Sequence, residues 1–169
     1  KRIDSDFWTH DGKTLYAGTS AAHGSTLWVA LIEKAYAQME GDSYKSLDGI
    51  EAAEVVFALT GKAADTFDVG NERGFLIKAL RAGKPVVLGS GAEVLGEAKP
   101  FCIEALHYYA AVGIHKDRHG SEFLMLTNPW GRNDLLTKSG DVVEIGRFLA
   151  IPLMQVTDYF EIFATSARQ

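Results

Sequence analysis

The stretch that decides the fold is "EFLMLTNPWGRND", residues 122–134. Phe123, Leu124, Met125 and Leu126 form a short apolar run, as a buried strand supplies. Asn128, Pro129, Trp130 and Gly131 follow at once, so the strand is expected to end on an amide. Just upstream, "KDRHG", residues 116–120, reads as a turn, and "LHYYAAVGIH", residues 106–115, as a strand entering it. The two strands make an antiparallel hairpin. In such a pair, the start of one strand lies beside the end of the other. His107 and Asn128 are therefore expected at one rim of the sheet.

That pairing has a specific chemistry. A neutral imidazole carries one donor and one acceptor nitrogen. An amide oxygen facing one nitrogen fixes the tautomer and the ring direction. The other nitrogen is then free to take a proton from a nucleophile. An indole over the contact keeps water from competing, and Trp130 stands where it could do so. Pro129 stiffens the turn that presents it. On hairpin geometry alone, a structural or merely exposed histidine is the competing reading.

The rest of the chain frames the hairpin. "STLWVALIEKAYAQME", residues 25–40, carries apolar residues at helical spacing, with Ser25 as N-cap and Gly41 at the stop. "GIEAAEVVFALTG", residues 49–61, and "NERGFLIKALRAGKP", residues 71–85, read as two more helices closed by Gly61 and Gly83. Tyr36, Phe57 and Phe75 fall on their apolar stripes and are expected in the core. "HDGK", residues 10–13, suggests an early hairpin or an irregular entry segment. "PVVLGS", residues 85–90, reads as a strand, and "GSG", residues 89–91, as a plain turn. "RNDLLTKSGD" reads as a polar loop, "VVEIGRFLAIP" as one or two strands, and "LMQVTDYFEIFATS" as a helix followed by a last strand. Helices first and strands afterwards predict an α+β fold with a mainly antiparallel β-sheet or half-barrel.

Composition limits the function classes. The 169 residues are 47% hydrophobic and 23% charged, enough apolar mass for the core of a single domain spanning 1–169. Net charge is −5, without a basic block, so no nucleic acid is expected as partner. No apolar run is long enough to span a membrane, and no signal-peptide core opens the sequence. The single Cys102 precludes an internal disulfide. That favours a reducing compartment such as the cytoplasm, with export without disulfides as the other reading.

Three separate blocks resemble the calpain-type cysteine proteases. "LWVALIEKAYAQMEGDSYKSLDGIEAAEVVFALTG" is similar to that family's Leu-Trp helix and Leu-Thr-Gly stop. "HYYAAVG" resembles its catalytic histidine strand, and "LTNPWG" its catalytic asparagine turn. The blocks occur in the family's order. The resemblance implies a papain-like half fold in which His107 is the general base, Asn128 its orienting partner and Trp130 the shield over their contact. Glu33, Lys34, Ala35 and Tyr36 belong to the helix signature and read as packing and surface positions. It also implies a protein or peptide substrate; no cofactor and no metal site is expected from the residues.

The departures shape the expectation. The family's nucleophile lies in a Gln-Gly-x-x-Gly-Asp-Cys-Trp segment ahead of the Leu-Trp helix, and no such segment occurs here. The chain is expected to begin after it and to be inactive alone, with an N-terminal Cys-bearing subdomain of the same protease as partner. Cys102 is no substitute, since it lies five residues before His107, roughly 16 Å on an extended chain, and reads as a small core residue. The segment after "NPWG" is short and lacks the family's further tryptophan, so calcium sites are not inferred. A half fold should also leave an apolar face on the 25–40 helix or the sheet rim for the other lobe.

Other signals are weaker. His115 and His119 sit four apart, but in a turn and without further ligands for zinc. "LTGKAAD" lacks the glycine and hydroxyl of a phosphate loop. Glu51 with Glu54, and Asp65 with Asp68, read as solvated faces. The alternative to a protease part is a non-catalytic peptidase-like binding module. A transglutaminase-like acyltransferase is disfavoured, because Asn128 stands where an aspartate is needed.

Overall fold

The computed structural model describes residues 9–10, 13–14, 28–41, 43–47, 49–92, 101–136 and 139–167. The chain divides into two compact units, Lys1–Ile50 and Glu51–Gln169. In the first, β1 (Thr9–His10) pairs antiparallel with β2 (Lys13–Thr14), the early hairpin expected around "HDGK". Helix α1 spans Trp28–Met39, followed by a 3-10 turn at Tyr44–Leu47. Ser25, expected as the N-cap of α1, lies outside the described residues.

The second unit is built on one antiparallel sheet with helices on both faces. Its elements are α2 (Ala52–Thr60), β3 (Ala64–Asp68), α3 (Arg73–Arg81), β4 (Val86–Gly89), β5 (Phe101–Cys102), β6 (Tyr108–Lys116), β7 (Glu122–Leu136), β8 (Val142–Pro152), a 3-10 segment (Leu153–Asp158) and β9 (Ile162–Ser166). The strands are ordered β3-β9-β4-β6-β7-β5, with β8 also paired to β7. Helices preceding an antiparallel sheet give the α+β class and the papain-like half fold that the sequence implies.

The two faces follow from the period-2 alternation of strand side chains. Val86, Leu88, Tyr109, Leu124, Leu126, Ile151 and Phe163 point into the main core, where Leu76, Ala79 and Leu80 of α3 meet them. Val87, Tyr108 and Ala164 point the other way and meet Ala52 and Val56 of α2. The α2 contact uses positions four apart, one turn of a helix. It leaves Phe57, expected in the core, 56% exposed on the opposite side. Gly61 closes α2 in the left-handed region at φ 66, its N–H donating to Phe57 O at 2.8 Å.

The sheet takes in more of the chain than the sequence marks. "ADTFD" at 64–68, three of whose five residues are polar or acidic, carries no strand signal in the sequence. It is β3, which among the described residues pairs with β9 alone, at the sheet edge, where acidic side chains reach water. "RNDLLTKSGD" is not a loop throughout: β7 continues to Leu136 and forms a second hairpin with a single long β8. Two of its polar residues are bonded across the ladder. Buried Asn133 donates Nδ2–H to Gly146 O at 2.9 Å, and Arg132 reaches Glu144 at 3.1 Å.

Candidate active site

The site is made by an irregularity in β7. Its register against β8 runs to Thr127↔Phe148 and resumes at Arg132↔Gly146. Four residues, Asn128 to Gly131, therefore stand opposite the single Arg147. The strand does not end at Asn128, as its sequence suggested, but bulges there and goes on. Pro129 cannot donate to a ladder, and Gly131 has φ 78, so both residue types suit a bulge. On the other edge of β7, β6 pairs as far as Ala110↔Thr127, and β5 resumes at Cys102↔Asp134. The bulge thus falls between the last β6 pair and the first β5 pair.

Extending the β6 register past Thr127 puts Asn128 opposite Tyr109, and Trp130 opposite His107. The contacts agree. His107 Nε2 lies 3.1 Å from Asn128 Oδ1. The His107 and Trp130 rings are 4.4 Å apart and tilted by 41°. Tyr109, fully buried, meets the imidazole edge-on at 5.1 Å. The three residues singled out from the sequence are therefore brought together. Asn128 is 4% exposed, while Trp130 is 53% exposed, one side against the imidazole and the other toward solvent.

The hydrogen bonds fix the chemistry of the ring. Trp130 N–H donates to Asn128 Oδ1 at 3.0 Å, closing a turn of the kind asparagine favours. A main-chain N–H can only donate, so the atom it faces is the amide oxygen. That oxygen also faces His107 Nε2, which must then carry the proton. In the neutral ring, the lone pair is left on Nδ1, the nitrogen turned away from Asn128.

A feature not legible in the sequence holds His107 from behind. Ser90, which follows β4 and is 7% exposed, takes part in a cluster of main-chain bonds. His107 N–H donates to Ser90 Oγ at 3.0 Å, and Ser90 N–H donates to His107 O at 3.0 Å. Ser90 Oγ–H donates to Glu104 O at 2.5 Å and lies 3.1 Å from His107 O. "GSG" is thus no plain turn: Gly89 ends β4 and Ser90 grips the histidine. Leu106, just before His107, has φ 51 and is 79% exposed. Left-handed backbone costs a non-glycine residue about 1–2 kcal/mol. Leu106 N–H donates to Gly91 O at 3.2 Å and so helps hold that conformation.

Among the described residues, no group of three or more histidine, cysteine or acidic side chains could hold a metal ion. His119, half of the spaced pair, accepts from Arg118 Nε at 3.0 Å. Glu51, Glu54, Asp65 and Asp68 are exposed. The side chain of Cys102 lies outside what is described; its backbone pairs in β5 as stated above.

A histidine held by an asparagine under a tryptophan is the arrangement that the sequence blocks implied, and comparison with known proteins shows the family. Residues 2–143 match the model of the calpain family cysteine proteases. The chain belongs to the calpain family of cysteine proteases. It is 34% identical over 125 residues to calpain-9 of Homo sapiens, covering 67% of this chain and 18% of that protein. It is 30% identical over 141 residues to calpain-8 of Homo sapiens, covering 76% of this chain and 19% of that one. The calpain-2 catalytic subunit of Gallus gallus is 28% identical over 149 residues, 82% of this chain and 21% of its own length. The chain therefore spans about a fifth of the length of these calpains.

Proposed function

We propose that this calpain-family chain supplies the general base and its orienting partner for a Cys-His-Asn peptide hydrolase, with His107 as base and Asn128 as orienter. The thiol would come from a Cys-bearing subdomain of the same protease. The observation that supports this most directly is the 3.1 Å contact between His107 Nε2 and Asn128 Oδ1, which leaves the lone pair on Nδ1.

Chemically, Nδ1 takes the thiol proton, giving a thiolate beside an imidazolium, an arrangement that stabilises the thiolate near neutral pH. The thiolate attacks the carbonyl carbon of a peptide bond. When the tetrahedral adduct collapses, the C–N bond breaks and the imidazolium gives its proton to the leaving amine. A thioester remains. Water then attacks it, losing a proton to Nδ1, and the C–S bond breaks to release the carboxylic acid and restore the thiol pair. Throughout, Asn128 keeps the ring in one orientation as its charge changes. Trp130 limits water at the Nε2 side.

The test combines the chain with the Cys-bearing subdomain and follows hydrolysis of a casein-type protein substrate. The combination should be active and the chain alone inactive. His107→Ala should lower kcat on the order of 10²–10⁴-fold, the usual contribution of a positioned base. Equal rates for wild type and His107→Ala would remove the assignment and leave a non-catalytic module as the reading.

A further inference from the structure

We infer that Ser90 is a positioning residue for His107, setting where the imidazole stands through the main chain rather than by touching the ring. The inference rests on His107 being the base. Its support is independent of the Asn128 contact. The serine hydroxyl has one proton and can accept as well as donate. It gives that proton to Glu104 O at 2.5 Å and accepts His107 N–H at 3.0 Å. Ser90 N–H closes a third bond on His107 O at 3.0 Å. A single buried side chain thus ties both ends of the 104–107 turn, which carries the base into β6.

The turn needs such a tie. Leu106 sits in left-handed backbone at φ 51, immediately before His107. Such a conformation persists only where its surroundings over-determine it. Relaxation of Leu106 would rotate the next peptide and swing the His107 side chain off Asn128. Tyr109 completes the frame from below: its hydroxyl accepts Glu104 N–H at 3.1 Å while its ring meets the imidazole. Serine at 90 is suited because it is small enough for the buried corner and bonds to both strands of the turn. Alanine would fill the space but leave His107 N–H and Glu104 O without that partner.

The experiment has two readouts. Nitrogen-15 spectra of the His107 ring, taken on the isolated chain, report the tautomer. Kinetics of the chain combined with the Cys-bearing subdomain report kcat and KM. Wild type should show the Nε2–H form. Ser90→Ala should show a mixture of both neutral forms and lose on the order of 10²-fold in kcat, as expected for a reactive group misplaced by about an ångström, with KM little changed. Ser90→Thr, which keeps the hydroxyl, should restore both. A purely structural role would lower stability but leave the ring of the folded protein in the Nε2–H form. Folded Ser90→Ala with wild-type ring signals and kcat, while His107→Ala is inactive, would overturn the role of Ser90 alone. Wild-type activity in His107→Ala would instead remove the base assignment beneath it. If Ser90→Ala does not fold, Ser90→Cys, with a thiol that is a weak donor and acceptor, should give intermediate mixing and rate; wild-type values there would equally overturn the inference.

Discussion

Trp130 and Asn128 are joined by a main-chain to side-chain bond of 3.0 Å that orients the amide facing the histidine. The same Oδ1 then receives His107 Nε2 at 3.1 Å. The indole residue thus acts twice: its N–H sets the amide, and its ring covers the imidazole. In Asn128→Ala both donors lose their acceptor. The ring should then populate both neutral tautomers, and kcat in the assembled protease should fall on the order of 10²-fold, the scale of a misplaced reactive group. Asn128→Asp keeps an oxygen for each donor and should hold the Nε2–H form. Ring nitrogen shifts of the two variants check this. Identical spectra for Asn128→Ala and wild type would show that something other than the amide orients the ring.

Covering by Trp130 should be measurable apart from stability. The indole is half exposed, so Trp130→Ala should cost well below the about 3–5 kcal/mol of a fully buried aromatic. Exchange of the His107 Nε2 proton with solvent should nevertheless speed up, since water then reaches the contact. Trp130→Phe keeps a ring over the imidazole and should exchange at a rate nearer wild type. Unchanged exchange in Trp130→Ala would mean that the amide alone shields this proton.

How far these features could be read in the sequence depends on how local their causes are. The β6–β7 hairpin was legible because its two apolar strands and their turn lie in one continuous stretch. Its geometry alone brings His107 near Asn128. The bulge was not legible: Pro129 signals that a ladder is interrupted, but not that it resumes at Arg132. That depends on β8, whose partner residues come later in the chain. β3 was missed because edge strands tolerate Asp65 and Asp68, so periodicity carries little weight there. Phe57 was misplaced because α2 is apolar on more than one side, and only the packing against Val87 and Ala164 chooses the buried one. Ser90 was invisible for the same reason as the bulge. Its significance lies in a contact with the 104–107 turn, which no spacing rule connects to it.

The bulge should depend on glycine at its exit. Gly131 has φ 78, and a Cβ there would meet nothing within 4 Å. The cost of Gly131→Ala is therefore a backbone cost, about 1–2 kcal/mol for left-handed geometry. Asparagine visits that region more readily, so Gly131→Asn should be the milder change. Urea unfolding of the second unit ranks the two. Equal midpoints for alanine and wild type would mean that this turn changes conformation freely.

Gly89 tests packing instead of backbone. A Cβ at this position would sit 2.8 Å from both Ile162 Cγ1 and Tyr108 Cε1. The neighbouring strands β9 and β6 hold both side chains in place. Gly89→Ala should destabilise by about 1–3 kcal/mol, the range for overfilled cores. Because Tyr108 follows His107 directly, the imidazole signals should shift as well. Destabilisation without any change at His107 would show that the strain is absorbed on the Ile162 side.

Tyr108 also predicts how stability responds to alkali. Its side chain is on the α2 face, and burial raises its pKa above the ordinary 10.0; the negative charge of Glu51 raises it further, while the Ala52 main-chain N–H pulls the other way. Tyr159 is raised too, by burial first and Asp158 second. In both cases the folded protein holds the phenol proton more tightly than the unfolded chain. The resulting stabilisation is fully present below pH 10 and is lost as the pH climbs through the raised folded values. Unfolding midpoints in urea should therefore fall with each step above pH 10. In a Tyr108→Phe, Tyr159→Phe double variant, that fall should be shallower. A slope as steep as that of wild type would place the alkaline sensitivity on other groups.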